Sequence, residues 1–259
     1  MRNRIISSQG DHSELARSSS VLESASGVHR INAFVEHQVC LFGPERYEPR
    51  YEYPLVIWLH SCHSSEGELE NVMCSLSLQN YVGCGPRGPI PSDRGLGRFF
   101  WGKSANAAAV AEEVVFASID AAAAQFSIDS KKIFLAGFGS GGTMAWRLAL
   151  RYPEQFAGVV SICGGFPNED RSLVQLQRAR QLPVLWMYGQ HSQSCSITSV
   201  CETLPLLHSA SLSVDIRQYP CGDELLSNML SDANVWLMER VTNQTFESAK
   251  DHQESFSQN

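Results

Sequence analysis

The chain has 259 residues, 43% of them hydrophobic, enough for one large α/β domain with a substantial core and too few for that fold plus a second independent one. A formal net charge of -7 with no visible basic patch argues against nucleic acid or anionic membrane as partners, since both recruit basic surfaces.

Residues 1–27 are rich in Ser with few large apolar groups and read as a disordered leader. The run Met1–Asp11 lacks the apolar core of a signal peptide, so the eight cysteines are expected as reduced thiols in the cytoplasm. Val28–Phe42 reads as a hairpin region, and Leu55–Leu59 is a continuous apolar run suited to a strand buried on both faces. The loop His60-Ser61-Cys62-His63-Ser64-Ser65-Glu66 follows, then a helix to about Leu78 and a short strand at Tyr81–Cys84. A loop to Gly102 carries Phe99, Phe100 and Trp101.

Ser104 is positioned to cap a helix reaching Phe126, with an apolar stripe at Ala108, Val115, Ile119, Ala122 and Phe126. Glu112, Glu113 and Asp120 interrupt this alanine-rich stretch, so it is not a membrane span. Strands at Ile133–Ala136, Gly158–Cys163, Pro183–Tyr188 and Ser213–Gln218 alternate with helices near Asp170–Gln181, Ser196–Ser211 and Leu225–Val241. Alternation of this kind implies a mostly parallel sheet covered on both faces, a three-layer α/β/α domain over residues 28–243 with a polar tail at 244–259. The loops after the parallel strands then gather at one sheet edge, where such folds bind ligands.

One of those strand-to-helix turns is diagnostic. Lys132–Trp146 runs from an apolar strand through Ala136-Gly137-Phe138-Gly139-Ser140-Gly141-Gly142 into a helix. In the nucleophile elbow, written G-x-S-x-G, two outer glycines permit a turn so tight that the central side chain is presented to the substrate. Gly137 and Gly141 are the outer pair, and the centre is Gly139, which has no side chain.

From about Pro54 to Val241 the chain resembles the phospholipase/carboxylesterase group of α/β-hydrolases, relatives of dienelactone hydrolase. Its members typically read Leu-Ala-Gly-Phe-Ser-Gln-Gly-Gly at the elbow, and the likeness continues here through Arg147–Ser161. The resemblance implies an α/β-hydrolase fold and locates two further catalytic slots. The acid is expected three residues past Gly189, where this chain has Ser192, and the histidine base at the position of Asp223 in Tyr219-Pro220-Cys221-Gly222-Asp223-Glu224-Leu225. It also implies oxyanion donors at the N–H groups of Ser140 and Cys62, the latter in a His-Gly-x-Gly-type loop that here has Ser61 at the first glycine.

A serine hydrolase needs a hydroxyl nucleophile, an imidazole base and a carboxylate to orient it. Gly139, Ser192 and Asp223 supply none of these at the proper slot. The favoured reading is an inert hydrolase-fold protein that keeps a cleft for a small acyl or ester-like ligand or a protein partner, with no cofactor. A relocated esterase would use Ser140, with His60, His63 or His191 as base. A metal site could draw on Cys62, His63, His191, Cys195, Cys221 and Asp223, though no pair has zinc-type spacing. A cysteine hydrolase would need Cys195 or Cys221, neither of which is on the elbow. Phe99, Phe100 and Trp101 are candidates for pocket lining or for ordinary core.

Overall fold

The computed structural model describes residues 21–23, 28–31, 38–167 and 173–256. Its main sheet is built from β1 (Val21–Glu23), β2 (Val28–Ile31), β3 (Val39–Phe42), β4 (Tyr53–Leu59), β5 (Val82–Pro86), β8 (Ile128–Phe138), β9 (Gly158–Ile162), β10 (Pro183–Gly189) and β11 (Ser213–Tyr219). The spatial order is β1-β2-β3-β5-β4-β8-β9-β10-β11. β1, β2, β3 and β5 pair antiparallel in succession, whereas β5, β4, β8, β9, β10 and β11 pair parallel. A small antiparallel pair, β6 (Ile90–Pro91) with β7 (Phe99–Phe100), stands apart.

The central strands are apolar along their whole length because helices cover both faces. Every residue of β4 is buried. On one face lie α2 (Ala105–Gln125), α3 (Ser140–Arg151), α4 (Leu173–Arg178) and α5 (Ile197–Ser209); on the other lie α1 (Glu68–Leu76) and α6 (Ser227–Phe256). Alternate side chains of one strand feed the two cores: Leu55, Ile57 and Leu59 pack with Val115 and Trp146, and Val56 and Trp58 with Met73 and Trp236. The expected cap of α2 forms, with Ser104 Oγ accepting from Ala107 N–H at 3.1 Å. The α/β-hydrolase expectation, a three-layer α/β/α fold, therefore holds.

Three boundaries differ from the sequence reading. The segment 1–27, read as a disordered leader, contains β1, whose Val21 and Leu22 align with Ile31 and Arg30; its other residues lie outside those described. Three residues were too short a run to register as a strand. The polar tail 244–259 is helical as far as Phe256, because Glu, Ala, Lys and Gln favour a helix whether or not they are apolar. The segment 90–100, read as loop, forms β6 and β7, each too short for an alternating pattern to register.

Candidate functional site

Strand β8 ends at Phe138 and α3 starts at Ser140, so the whole reversal falls on Gly139. Its backbone has φ +56° and ψ -117°, a region that costs a residue with a side chain about 1–3 kcal/mol and glycine little. The turn is held by Gly139 N–H donating to Ile162 O at 2.8 Å and Thr143 N–H donating to Gly139 O at 3.0 Å. A Cβ placed on Gly139 would meet no atom within 4 Å. The elbow thus keeps its backbone and an open space where a nucleophile would project.

The turn is possible because α3 runs hard against β4. A Cβ on Gly141 would lie 2.0 Å from Leu59 O and 2.6 Å from His60 O, so only glycine fits. Ser140, the first residue of α3, has no intrahelical acceptor for its N–H, as at any helix start. Its hydroxyl is buried and makes no hydrogen bond, with no imidazole as partner.

The two remaining slots are joined to each other. Ser192, 6% exposed, sits at the start of the loop after β10, and its hydroxyl donates to Asp223 Oδ1. The other oxygen of Asp223 accepts the N–H of Gln193 at 3.0 Å and of Ser194 at 3.2 Å, and Ser192 Oγ accepts the N–H of Cys195 at 2.9 Å. In a working triad the negative charge would stand at the acid slot and face an imidazole. Here it stands at the position where the family resemblance puts the base and faces a hydroxyl, and the pair contains no imidazole.

Partial burial raises the pKa of Asp223, but the hydrogen bonds from Ser192, Gln193 and Ser194 outweigh it and hold the carboxyl below the usual range. The unfolded chain therefore takes up this proton first as pH falls. The stability contributed is fully present above the unfolded pKa of about 4 and is lost as pH falls through the lower, folded value. Asp223→Ala is expected to lower stability by about 1 kcal/mol at neutral pH, a modest figure because the carboxylate is exposed. The deficit should shrink in acid; denaturation midpoints of both proteins across pH 3–7 check this.

The loop after β4 is held by its own hydrogen bonds. Ser61 donates its N–H and hydroxyl to Glu68, at 3.0 and 2.6 Å, and Trp58 Nε1 donates to the same carboxylate at 2.9 Å. His60 is fully buried, with Nδ1 2.8 Å from Ser61 O and Nε2 accepting Gly88 N–H at 2.9 Å. These partners fix the neutral Nδ1–H tautomer, and burial lowers the pKa, so His60 is a structural residue. Cys62 is exposed on this loop, where its N–H could still serve as a donor.

His63 adopts φ +60°, and its Nδ1 lies 2.5 Å from Ser92 Oγ, just past β6. No local pattern signals this pairing, since the partners are 29 positions apart in the chain. Arg98 donates to His63 O at 3.1 Å, and Phe99 N–H to Ser64 O at 2.7 Å, so the hairpin is tied to this loop. Trp101, a candidate for pocket lining or for ordinary core, is buried: it is 2% exposed and donates its Nε1–H to His60 O at 3.1 Å. Phe99 and Phe100 are half-buried, Phe99 beneath the Arg87 guanidinium at 4.4 Å.

His191 is exposed. Cys195 and Cys221 are buried, and burial pushes both thiols up, Cys195 to about 12, which favours the protonated thiol over the nucleophilic thiolate. Among the described residues no group of three or more His, Cys, Asp or Glu side chains is placed to hold a metal ion. No described helix is long and apolar enough to cross a membrane. Beside the first turn of α3 a cavity of about 230 Å³ opens, lined by Lys103, Thr143, Arg147, Gly165, Ser194 and Ser199 among others.

Known proteins share this fold. SOBER1 of Arabidopsis thaliana superposes with a TM-score of 0.60 at 20% identity, over 73% of this chain and 99% of that one. A carboxylesterase from Mesorhizobium loti gives 0.66 at 15% identity, over 86% and 99%, and one from Bacillus cereus 0.62 at 17%, over 80% and 96%. At these identities the likeness is one of fold. NocK of Nocardia uniformis subsp. tsuyamanensis, an esterase by name, is 37% identical over 62 residues, 24% of this chain; the match spans 17% of that relative's length. The model of the phospholipase/carboxylesterase family matches residues 103–239, a stretch that holds the elbow and both remaining slots, and the chain belongs to that family of α/β-hydrolases.

Proposed function

We propose that this chain is a non-catalytic member of its family that uses the cleft at the sheet edge to bind a small acyl or ester-like molecule or a partner. The observation that carries the reading is the hydrogen bond between Ser192 and Asp223, which occupies the acid and base slots with each other while Gly139 leaves the elbow empty. Loss of the serine or histidine alone costs a well-studied serine protease roughly 10⁶ in turnover. The open space above Gly139 and the cavity beside α3 leave room for a ligand, and about 230 Å³ suits a small one. The cytoplasmic location expected from the sequence belongs to this proposal.

The expected result is that no ester in a panel of short and medium acyl chains is turned over above a Gly139→Ala, Ser140→Ala double variant. A relocated serine esterase is the second reading, and the pair His63–Ser92 is the observation in its favour. The same experiment separates the two. Stoichiometric labelling by a fluorophosphonate probe, mapped to Ser140 or Ser92 and accompanied by turnover, would replace the first reading with the second.

A further inference from the structure

The sheet ends at β11, and the edge of that strand facing away from β10 has no strand beside it among the described residues. Which backbone groups point outward follows from one bond. Tyr219 turns its carbonyl toward β10, where it accepts Gln190 N–H at 2.7 Å. Strand alternation then directs the N–H and C=O of Arg217 and Asp215 toward β10 as well, and those of Val214, Ile216 and Gln218 outward. Four of the seven residues of β11 are exposed and two more are half-buried, and Ile216 is 36% exposed.

The side chains along this edge are mirrored about Ile216. Asp215 and Arg217 flank it and lie on the α6 face: Trp236 Nε1 donates to Asp215 at 2.6 Å, and Arg217 Nη1 is 3.5 Å from Asp232. We propose that two copies of this chain pair antiparallel through β11, with the twofold axis between the two Ile216 residues. In this register the outward groups of Ile216 meet those of Ile216 in the second copy, and Val214 meets Gln218. Asp215 then faces Arg217 of the second copy, and Arg217 faces its Asp215, in the closer, non-hydrogen-bonded type of cross-strand pair.

The charges select this register over its neighbours. A slip that centres the axis on residue 215 sets Asp215 against its own copy, and one centred on residue 217 sets Arg217 against its own copy. Like charges directly opposite are unfavourable. A slip of one residue sets outward backbone groups against inward ones and forms no ladder. The existing partners do not compete, because a carboxylate accepts several donors. Asp232, Arg217, Asp215 of the second copy and its Arg240, 3.0 Å from that Asp215 within each chain, form a line of alternating sign across the junction. A contact in which the same patch serves both partners closes as a dimer and does not propagate.

Sedimentation velocity of the full chain from low to high micromolar concentration tests this, with Arg217→Asp and Ile216→Lys as variants. Both substitutions fall on side chains already in contact with solvent, and thermal melts confirm that each variant folds. The wild type is expected to sediment as a dimer, and each variant to raise the dimer dissociation constant at least about tenfold, the effect of 1.4 kcal/mol. Arg217→Asp brings carboxylates face to face, and Ile216→Lys brings two ammonium groups to the axis. A wild type that stays monomeric at every concentration overturns the proposal. So does a dimer that survives both folded variants undiminished.

Discussion

Gly139→Ser is expected to lower stability by about 1–3 kcal/mol and to restore no esterase activity by itself. The two halves of this result have separate causes. The cost is conformational, since φ +56° disfavours any side chain while the space around a new Cβ is empty for 4 Å. The expected inactivity follows from the other slots, where Ser192 and Asp223 offer no imidazole. Adding Ser192→Asp and Asp223→His puts a carboxylate and an imidazole where a hydroxyl and a carboxylate now meet. Weak ester hydrolysis and fluorophosphonate labelling of residue 139 are expected only in this triple variant. Activity in the single variant would mean that another acid and base serve the elbow. An unchanged or raised denaturation midpoint for Gly139→Ser would mean that the apex is not strained.

A larger loss of stability is expected two residues further on. Gly141→Ala sets a methyl group 2.0 Å from Leu59 O and 2.6 Å from His60 O. Both obstacles are backbone, fixed in place at the end of the fully buried strand β4, so neither can swing aside as a side chain would. Relief requires α3 to lift off the sheet, and with it Met144, Ala145, Trp146 and Leu148, all buried. A destabilisation of about 3 kcal/mol or more is expected in chemical denaturation, above the usual range for a core substitution. A change under about 1 kcal/mol would show that the turn is looser than its geometry implies.

These two glycines explain why the elbow was legible in the sequence. The steric demands of the turn act between residues close together in the chain, so they leave a local pattern whatever residue stands at the centre. The strands Leu55–Leu59 and Pro183–Tyr188 were legible because burial on both faces demands unbroken apolar runs. The acid and base slots could be placed only through family likeness, and their joining could not be seen. Ser192 and Asp223 sit 31 positions apart on loops whose approach depends on β10 and β11 pairing. The same holds for His63 and Ser92, 29 apart, which meet only because a hairpin invisible to alternation folds back on the loop after β4. Trp101 carried an ambiguous signal, since an aromatic ring near a cleft is equally suited to lining it or to supporting it from below.

The position of β4 in the sheet also sets the order in which the chain can be completed during synthesis. β4 lies between β5, which follows soon after it, and β8, whose Gly137 pairs with Leu59 only once the elbow has left the ribosome. Until then the apolar strand Tyr53–Leu59 has one edge unsatisfied, and the nascent chain, growing at about 5–20 residues per second, carries it exposed for several seconds. Strand β8, which ends at the elbow, is therefore the segment whose synthesis first gives the second edge of β4 a partner.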